Sequence, residues 1–310
     1  MSGRPELVPF AIKSYRYLRL SIVVVVAALM ASVVLEVFHA GCWQESISAY
    51  YYTPTHSVFV GGLVAIGVAL IAVKGSTDIE DALLNVAGVL APVVAFVPTS
   101  PPRATDACPA TGFAGVDNKA LIDNNLLAFA IGGAIAIILT WLIGRVTRDR
   151  GPRPTPPPPT PAAQPAAPNP KPLRIGLAIG VVLLAAGLVW YYGFRDNFLD
   201  HAHGGAAGAM FGMVAIVMLI NAFTARRPYR PWYAALFVAM VLGVVVALVG
   251  IRIDEDWRHQ ILVLEICELV PFAVFWALQT VEHWEGGVPT GAERAARDAH
   301  RLTGLAAPRR

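Results

Sequence analysis

The chain has 310 residues, of which 56% are hydrophobic and only 15% are charged, and its formal net charge is +3. Soluble domains carry about 25% charged residues, so this composition excludes soluble enzymes and nucleic-acid-binding proteins. It predicts an all-α polytopic membrane protein, a bundle of about eight transmembrane helices.

Eight apolar stretches are long enough, or nearly so, to cross the roughly 30 Å of hydrocarbon in a bilayer. In chain order they cover residues 20–38, 57–73, 82–98, 125–144, 175–194, 204–224, 231–251 and 260–280. The first follows basic residues, as the apolar part of a signal peptide does. Its apolar run is longer than a typical signal sequence, so we expect it to remain as a helix.

The distribution of basic residues predicts the orientation. Lys and Arg are retained on the cytoplasmic side of a membrane protein. With both termini inside, 19 of the 24 Lys and Arg residues fall in cytoplasmic segments and 5 in outer loops. We therefore expect the N- and C-termini to be cytoplasmic.

Four regions follow from these spans. Residues 1–148 contain spans one to four, and residues 173–284 contain spans five to eight. Between them, residues 149–172 form a proline-rich segment that we expect to be a cytoplasmic linker, because proline removes backbone donors and favours polyproline II. Residues 285–310 are a predicted cytoplasmic tail.

The linker allows the chain to be interpreted as two halves of four spans each. Leu18-Arg19-Leu20 at the start of span one has a counterpart in Leu173-Arg174-Ile175 at the start of span five. Two halves with an even number of spans would be parallel repeats, as in some transporters.

Several motifs favour a different organisation. The first outer loop contains Ser46-Ile47-Ser48-Ala49-Tyr50-Tyr51-Tyr52-Thr53, and span three ends in Val94-Ala95-Phe96-Val97-Pro98-Thr99. With these motifs the chain resembles a group of uncharacterised bacterial multi-pass membrane proteins, and the resemblance resumes at His203 and at Leu264-Glu265, followed by Phe272 and Trp276. It implies six spans, so that spans four and five and the linker are an insertion, and it implies no activity. His56 replaces the arginine that is usual in that group.

Two acidic residues lie inside the last predicted span. Ionisable groups in a bilayer are costly, and they face the bundle interior or water. Glu265 and Glu268 are three residues apart and therefore share one face of a helix, while Pro271 leaves the carbonyl of Cys267 without its helical donor. We predict that the pair faces the interior and binds a cation or relays a proton. The alternative is a protonated carboxyl group that is hydrogen-bonded to another helix.

The outer loop supplies further candidates for the same site. We expect Glu265 to share a polar pocket with His203 and with the loop Ser46–Tyr52, whose candidate residues are Ser46, Ser48 and Tyr51, with His56 just beyond. Aromatic residues are common at membrane surfaces, so the sequence also predicts that Tyr50, Tyr51 and Tyr52 form part of an outer aromatic belt.

A metal site is a weaker hypothesis. Asp200, His201 and His203 carry ligands suited to zinc or another divalent metal, but their spacing matches no known metal motif. The alternative is that they are interfacial polar residues at a helix end. No other cofactor is predicted, because phosphate-binding and dinucleotide-binding glycine motifs are missing from the sequence.

Two cysteines are expected to form a disulfide. Cys42 and Cys108 both fall in predicted outer loops, on the oxidising side of the membrane, where such bonds persist. The alternative is a pair of free thiols that never meet.

These observations leave the activity unassigned. The leading hypothesis is a carrier, or an ion- or lipid-handling protein, in a bacterial cytoplasmic membrane, with a polar site in the outer half. The alternatives are a membrane-embedded metal-dependent hydrolase and a structural or regulatory subunit. The expected partners are the lipid bilayer, a small-molecule or lipid ligand and another membrane protein.

Overall fold

A computed structural model describes residues 7–101, 108, 118–149, 171–254 and 257–284 of the chain. These residues form eight α-helices and one short 3-10 helix, Ser48–Tyr52. The helices are α1 (Leu7–Ala40), α2 (His56–Ala72), α3 (Asp78–Phe96), α4 (Asn118–Asp149), α5 (Lys171–Gly193), α6 (Arg195–Thr224), α7 (Arg230–Ile253) and α8 (Gln260–Glu282).

The predicted all-α membrane architecture is confirmed. Each of the eight predicted spans overlaps one helix, and seven of the helices are long and apolar enough to cross a membrane. The remaining helix, α2, has 17 residues, which at a rise of 1.5 Å per residue gives a length of about 25 Å. Most of the linker and all of the tail, residues 150–170 and 285–310, lie outside the described residues.

The helices belong to two compact units. Residues 115–203, with α4, α5 and the first turns of α6, form one unit, and residues 1–114 and 204–310 form the other. In the smaller unit Asp123 of α4 accepts hydrogen bonds from Tyr191 and from Arg195, the latter at 2.5 Å. We call the larger one the six-helix unit, because it contains α1, α2, α3, most of α6, α7 and α8.

Glycines allow a close contact between α2 and α3 in the six-helix unit. A Cβ atom added at Gly67 of α2 would lie 2.7 Å from the carbonyl oxygen of Gly88 in α3, and one added at Gly88 would lie 2.7 Å from the carbonyl oxygen of Gly67. Neither position can therefore hold a larger residue unless the two helices move apart. This pair of helices forms one wall of the unit.

The six-helix unit has two ends, which we name after the predicted orientation. At the outer end, the loop after α1 and the residues after α3 meet the first turns of α8. At the inner end, the start of α3 and the end of α6 meet the last turns of α8. Both ends carry buried polar side chains, and α8 contributes to both.

Candidate functional site

The predicted disulfide is present at the outer end. Cys42 and Cys108 are bonded, with their Cα atoms 5.6 Å apart. The side-chain amide of Gln44 donates to Sγ of Cys108 at 3.3 Å, and the backbone N–H of Gln44 donates to the hydroxyl of Tyr50 at 3.2 Å. The disulfide therefore braces the loop that follows α1.

Local hydrogen bonds fold this loop into its 3-10 turn. The Ser46 hydroxyl accepts from the backbone N–H of Ala49 at 3.0 Å, and the Thr53 hydroxyl donates to the carbonyl of Tyr50 at 2.8 Å. Serine and threonine commonly compete in this way for nearby backbone groups. These local bonds satisfy part of the backbone of the turn, which favours its burial between helices.

The three tyrosines of the turn are buried, so the prediction of an aromatic belt at these positions was wrong. Tyr50, Tyr51 and Tyr52 expose at most 2% of their surface. The Tyr52 hydroxyl donates to the carbonyl of Thr99, just after α3, at 2.6 Å. Burial raises the pKa of both Tyr50 and Tyr51 above the ordinary value. The rings fill the outer end of the six-helix unit and fix the loop against α2 and α3.

Glu265 is the residue of α8 that holds this loop. Its carboxylate accepts a hydrogen bond from the backbone N–H of Ile47 at 2.5 Å and another from the Ser48 hydroxyl at 2.7 Å. One turn earlier, the N–H of Leu262 donates to the carbonyl of Glu45 at 3.0 Å. The structure thus brings Glu265 together with the Ser46–Tyr52 loop.

Glu268, three residues further along α8, has a different environment. Its side chain is only 6% exposed, and within the described part of the chain it takes part in no hydrogen bond or ion pair. Pro271 follows inside the helix. Glu268 is therefore a mostly buried side chain whose carboxyl group has no hydrogen-bond or ion-pair partner among these residues.

His56 packs against the same loop. Its Nδ1 lies 2.8 Å from the carbonyl oxygen of Tyr51, and the two rings meet edge to face with their centroids 4.3 Å apart. The side chain is half-buried at the first position of α2. His56 therefore supports the loop from the side opposite α8.

The remaining predicted residues lie in the smaller unit. His203 is buried, whereas Asp200 and His201 are exposed, and Nδ1 of His201 lies 2.9 Å from the carbonyl oxygen of Asn197 in its own helix. Within the described ranges, no three His, Cys, Asp or Glu side chains form a group suited to a metal ion. Both the zinc hypothesis and the pairing of His203 with Glu265 stay predictions.

A second polar cluster, which the sequence analysis missed, lies at the inner end. We call it the inner cluster; its six side chains are all at most 5% exposed and belong to five helices: Arg19, Glu80, Asn221, Tyr233, Gln279 and Glu282. A search for polar residues near the ends of apolar spans could have found Asn221 and Gln279. Glu80 resembles an ordinary residue of a first helical turn, so nothing local marks it as buried.

Two hydrogen-bonded chains connect the helices of the inner cluster. In the first, Asn221 donates to Glu80 at 2.7 Å and accepts from Gln279 at 3.0 Å. Glu80 also accepts from the N–H of Ser76 at 2.5 Å and completes a capping box with Thr77. This chain joins the ends of α3, α6 and α8.

The second chain is centred on Glu282, the last residue of α8. Its carboxylate accepts from the Tyr233 hydroxyl at 2.7 Å and from the backbone N–H of Arg226 at 2.8 Å. The buried Arg19 of α1 interacts electrostatically with Glu282, Glu80 and Tyr233. Together the two chains close the inner end around the last turns of α8.

Neither a family model, nor a curated protein, nor a solved structure matches this chain. The resemblance to the bacterial multi-pass proteins therefore stays a prediction based on the motifs named above. The activity has to be argued from the arrangement of side chains along α8.

Proposed function

We propose that this protein is a secondary carrier of the bacterial cytoplasmic membrane, with α8 lining its path. A carrier needs a buried binding group that can be closed off from either side of the membrane. Along α8, Glu265 closes the outer end, Glu268 lies between, and Gln279 and Glu282 close the inner end. From Glu265 to Glu282 the helix rises about 25 Å, most of the thickness of a bilayer.

The outer closure consists of bonds that can open. Ile47 and Ser48 belong to one short loop, and both bind the same carboxylate. Hydrogen bonds to a charged group contribute about 1.5–3 kcal/mol each, so a bound ligand or proton at Glu265 could release the loop. The outer closure is therefore suited to be a gate.

The inner closure supports the same function. Buried polar and ionic clusters contribute little net stability compared with well-packed apolar residues, so stability alone does not explain the six buried polar side chains. A set of bonds that holds α3, α6, α7 and α8 together in one state and releases them in another does explain them. In this proposal the inner cluster is the gate on the cytoplasmic side.

Glu268 is the single observation that carries the proposal. An unpaired carboxyl group inside a bilayer is costly and marks an ion or substrate path by default. It lies between the two closures on α8, whose Glu265 and Glu282 side chains take part in the outer and the inner closure. Pro271 lies between Glu268 and Gln279, and it cannot donate a hydrogen bond to the carbonyl of Cys267. The missing bond favours bending of α8 at that position.

Thiol labelling can test whether this position is reached from both sides. In a variant with Cys267→Ala and Glu268→Cys, a carrier should expose the new thiol to water on each side in turn. Membrane-impermeant methanethiosulfonate reagents, added either outside or inside oriented proteoliposomes, should both modify it. Modification from one side only, or from neither side, would overturn the carrier proposal.

Two control variants in the Cys267→Ala background calibrate that experiment. Glu45→Cys places a thiol at an exposed position of the outer loop, and Asp78→Cys places one at the exposed first residue of α3. Each should react from one side only, and the two from opposite sides. Reaction of either control from both sides would show leaky vesicles, and the experiment is then repeated with sealed ones.

A further inference from the structure

Two buried polar groups on one face of α8 have no partner in the described part of the chain. Glu268 is 6% exposed, and Trp276, two turns later, is 1% exposed. The indole N–H of Trp276 has no acceptor among the described residues. One group offers acceptor oxygens and the other a donor, and Phe272 lies between them on the same face.

Aromatic rings surround this face of α8. The ring centroids of Phe272 and Trp276 are 6.3 Å apart, and those of Phe275 and Trp276 are 5.2 Å apart. Phe211 of α6 lies 6.3 Å from Phe272, and Tyr233 of α7 lies 5.6 Å from Phe275. All four pairs meet edge to face, so three helices contribute to one continuous aromatic cluster, whose member Phe272 lies one turn after Glu268 on α8.

We propose that the site takes an organic ammonium cation, held by the Glu268 carboxylate and the aromatic cluster. The proposal rests on the carrier function and names its substrate class. An ammonium group supplies the missing charge partner of Glu268, and aromatic faces attract cations, most strongly when water is excluded. The apolar part of such a substrate matches the rings, and the indole N–H of Trp276 can donate to a hydroxyl or carbonyl group on it.

Other ligand classes fit this arrangement less well. A bare metal cation such as Na⁺ or Ca²⁺ needs several oxygen ligands, and this layer offers the Glu268 carboxylate and the carbonyl of Cys267 freed by Pro271. An anion would be repelled by Glu268. A neutral aromatic compound would leave the carboxyl group unpaired, which is costly in an apolar environment.

Binding of the cation at Glu268 is coupled to the release of a proton from the same carboxyl group. When no cation is bound, a proton on the carboxyl group removes the unpaired charge. The incoming ammonium ion then displaces one proton from Glu268, and that proton leaves with water. Glu265 lies one turn away on the same helix, and among the described residues no hydrogen bond or ion pair joins Glu268 to another element. One cation is therefore exchanged for one proton, and the net charge of the site is unchanged.

Titration calorimetry on the purified full-length protein in detergent tests the proposal. The probes are methylammonium, phenethylammonium and tetrabutylammonium, with 2-phenylethanol, phenylacetate and NaCl as controls. We expect at least one organic cation to bind and the controls not to bind. Titrations in two buffers of different ionisation enthalpy should show that one proton is released for each cation bound. Where the proton-bound form dominates, affinity should fall about tenfold for each unit decrease in pH.

Variants assign the effect to the named residues. Glu268→Gln should abolish binding and proton release, whereas Glu268→Asp should retain both. Phe272→Leu should weaken binding about two- to thirtyfold. Glu36→Gln, which changes a glutamate of α1 that is also 6% exposed, should bind like the wild type. Gel filtration and an intact disulfide confirm the fold of each variant.

The outcomes separate this inference from the carrier function. Failure of all three organic cations to bind, equal binding by 2-phenylethanol, or unchanged binding to Glu268→Gln would overturn the substrate class. If position 268 is nevertheless labelled from both sides, the protein is a carrier of another substrate. If cation binding depends on Glu268 but position 268 is not labelled from both sides, the binding site is retained and the carrier function is overturned.

Discussion

Glu265 binds a backbone amide and a side-chain hydroxyl of the same loop, so one carboxylate fixes both the position of that loop and the closure of the outer end. Its partners are 218 and 217 residues away in the chain. Asn221 has a similar role in the inner cluster, where its side chain is hydrogen-bonded to both Glu80 and Gln279. At each end of the six-helix unit, single polar residues therefore connect distant segments.

Ser48→Ala should loosen the outer loop. The change removes one hydrogen bond to a carboxylate, worth about 1.5–3 kcal/mol, while leaving the bond from Ile47. Hydrogen–deuterium exchange of peptides covering residues 44–54 should become about ten- to a hundredfold faster. Ser21→Ala is the matched control, because that hydroxyl donates only to the carbonyl of Leu18 in its own helix. Equal exchange in the two variants would contradict the role of Ser48.

Asn221→Ala should destabilise the inner end. It leaves a carboxylate oxygen of Glu80 and the amide of Gln279 without their partner, and each buried unsatisfied group costs about 1–3 kcal/mol. Thermal unfolding in detergent should therefore shift to lower temperature. The control, Thr224→Ala, changes an exposed residue of the same helix whose hydroxyl bonds only to the carbonyl of Ile220. A shift no larger than that of the control would show that Asn221 is dispensable.

The sequence could predict Glu265 and Glu268 because a carboxylate in an apolar run stands out by itself. It could not predict the inner cluster, because Glu80 and Asn221 are 141 residues apart and only packing brings them together. The predicted aromatic belt at Tyr50, Tyr51 and Tyr52 was wrong for a related reason. Tyrosine suits both a membrane surface and a buried turn with hydrogen-bond partners, and composition alone does not choose between these environments.

Among the elements, α2 and α3 show how a short apolar helix is held in place. The α2 helix is the shortest of the eight described, and it approaches α3 closely at Gly67 and Gly88. Its seven buried residues include two glycines, Gly62 and Gly67. Close backbone approach between small residues is a common basis of helix association in membranes.

Gly88→Ala and Gly67→Ala should each weaken this helix pair. The added methyl group would lie 2.7 Å from a carbonyl oxygen of the facing helix, and overpacking of this kind costs about 1–3 kcal/mol. Thermal unfolding should again occur at lower temperature. Gly61→Ala and Gly212→Ala are controls, because a Cβ atom at either position meets nothing within 4 Å. They should be neutral or stabilising by up to about 1 kcal/mol; a similar loss in all four would indicate a general effect of removing glycine.

Helices were predictable where the only requirement was a long apolar run. The eight expected spans all lie on helices, although α1, α4 and α6 extend well beyond them. The 3-10 turn at Ser48–Tyr52 was not predictable, since it depends on hydrogen bonds from Ser46 and Thr53 and on contacts with α3 and α8. Elements that depend on distant partners leave little local signal.

At the scale of the whole molecule, both the insertion of α4 and α5 and the repeat of four plus four spans stay predictions. A repeat of four plus four spans would place the boundary at the proline-rich segment. The smaller unit instead contains α4, α5 and the first turns of α6. The larger unit keeps six helices, the number that the resemblance implies.

The predicted orientation of the chain in the membrane can be tested directly. A cysteine at Thr160, inside the proline-rich segment, should react with an impermeant maleimide only from the cytoplasmic side. The reason is that most Lys and Arg residues lie in the segments assigned to that side. The Cys267→Ala background removes the one unpaired thiol of the wild-type chain. Labelling of Thr160→Cys in intact cells would reverse the assigned orientation and exchange the outer and inner gates.

The smaller unit contains a pair of apolar helices, α4 and α5, and this even number has a consequence for how such a chain could have evolved. Helices α4 and α5 are both long and apolar enough to cross the membrane, and a chain that crosses twice returns to the side from which it left. Helices α6, α7 and α8 then keep the same orientation whether or not the pair is present. A single added helix would have turned α8 upside down and placed Glu265 at the opposite surface from the Ser46–Tyr52 loop. Gain or loss of a helix pair is therefore a change that the site along α8 can survive.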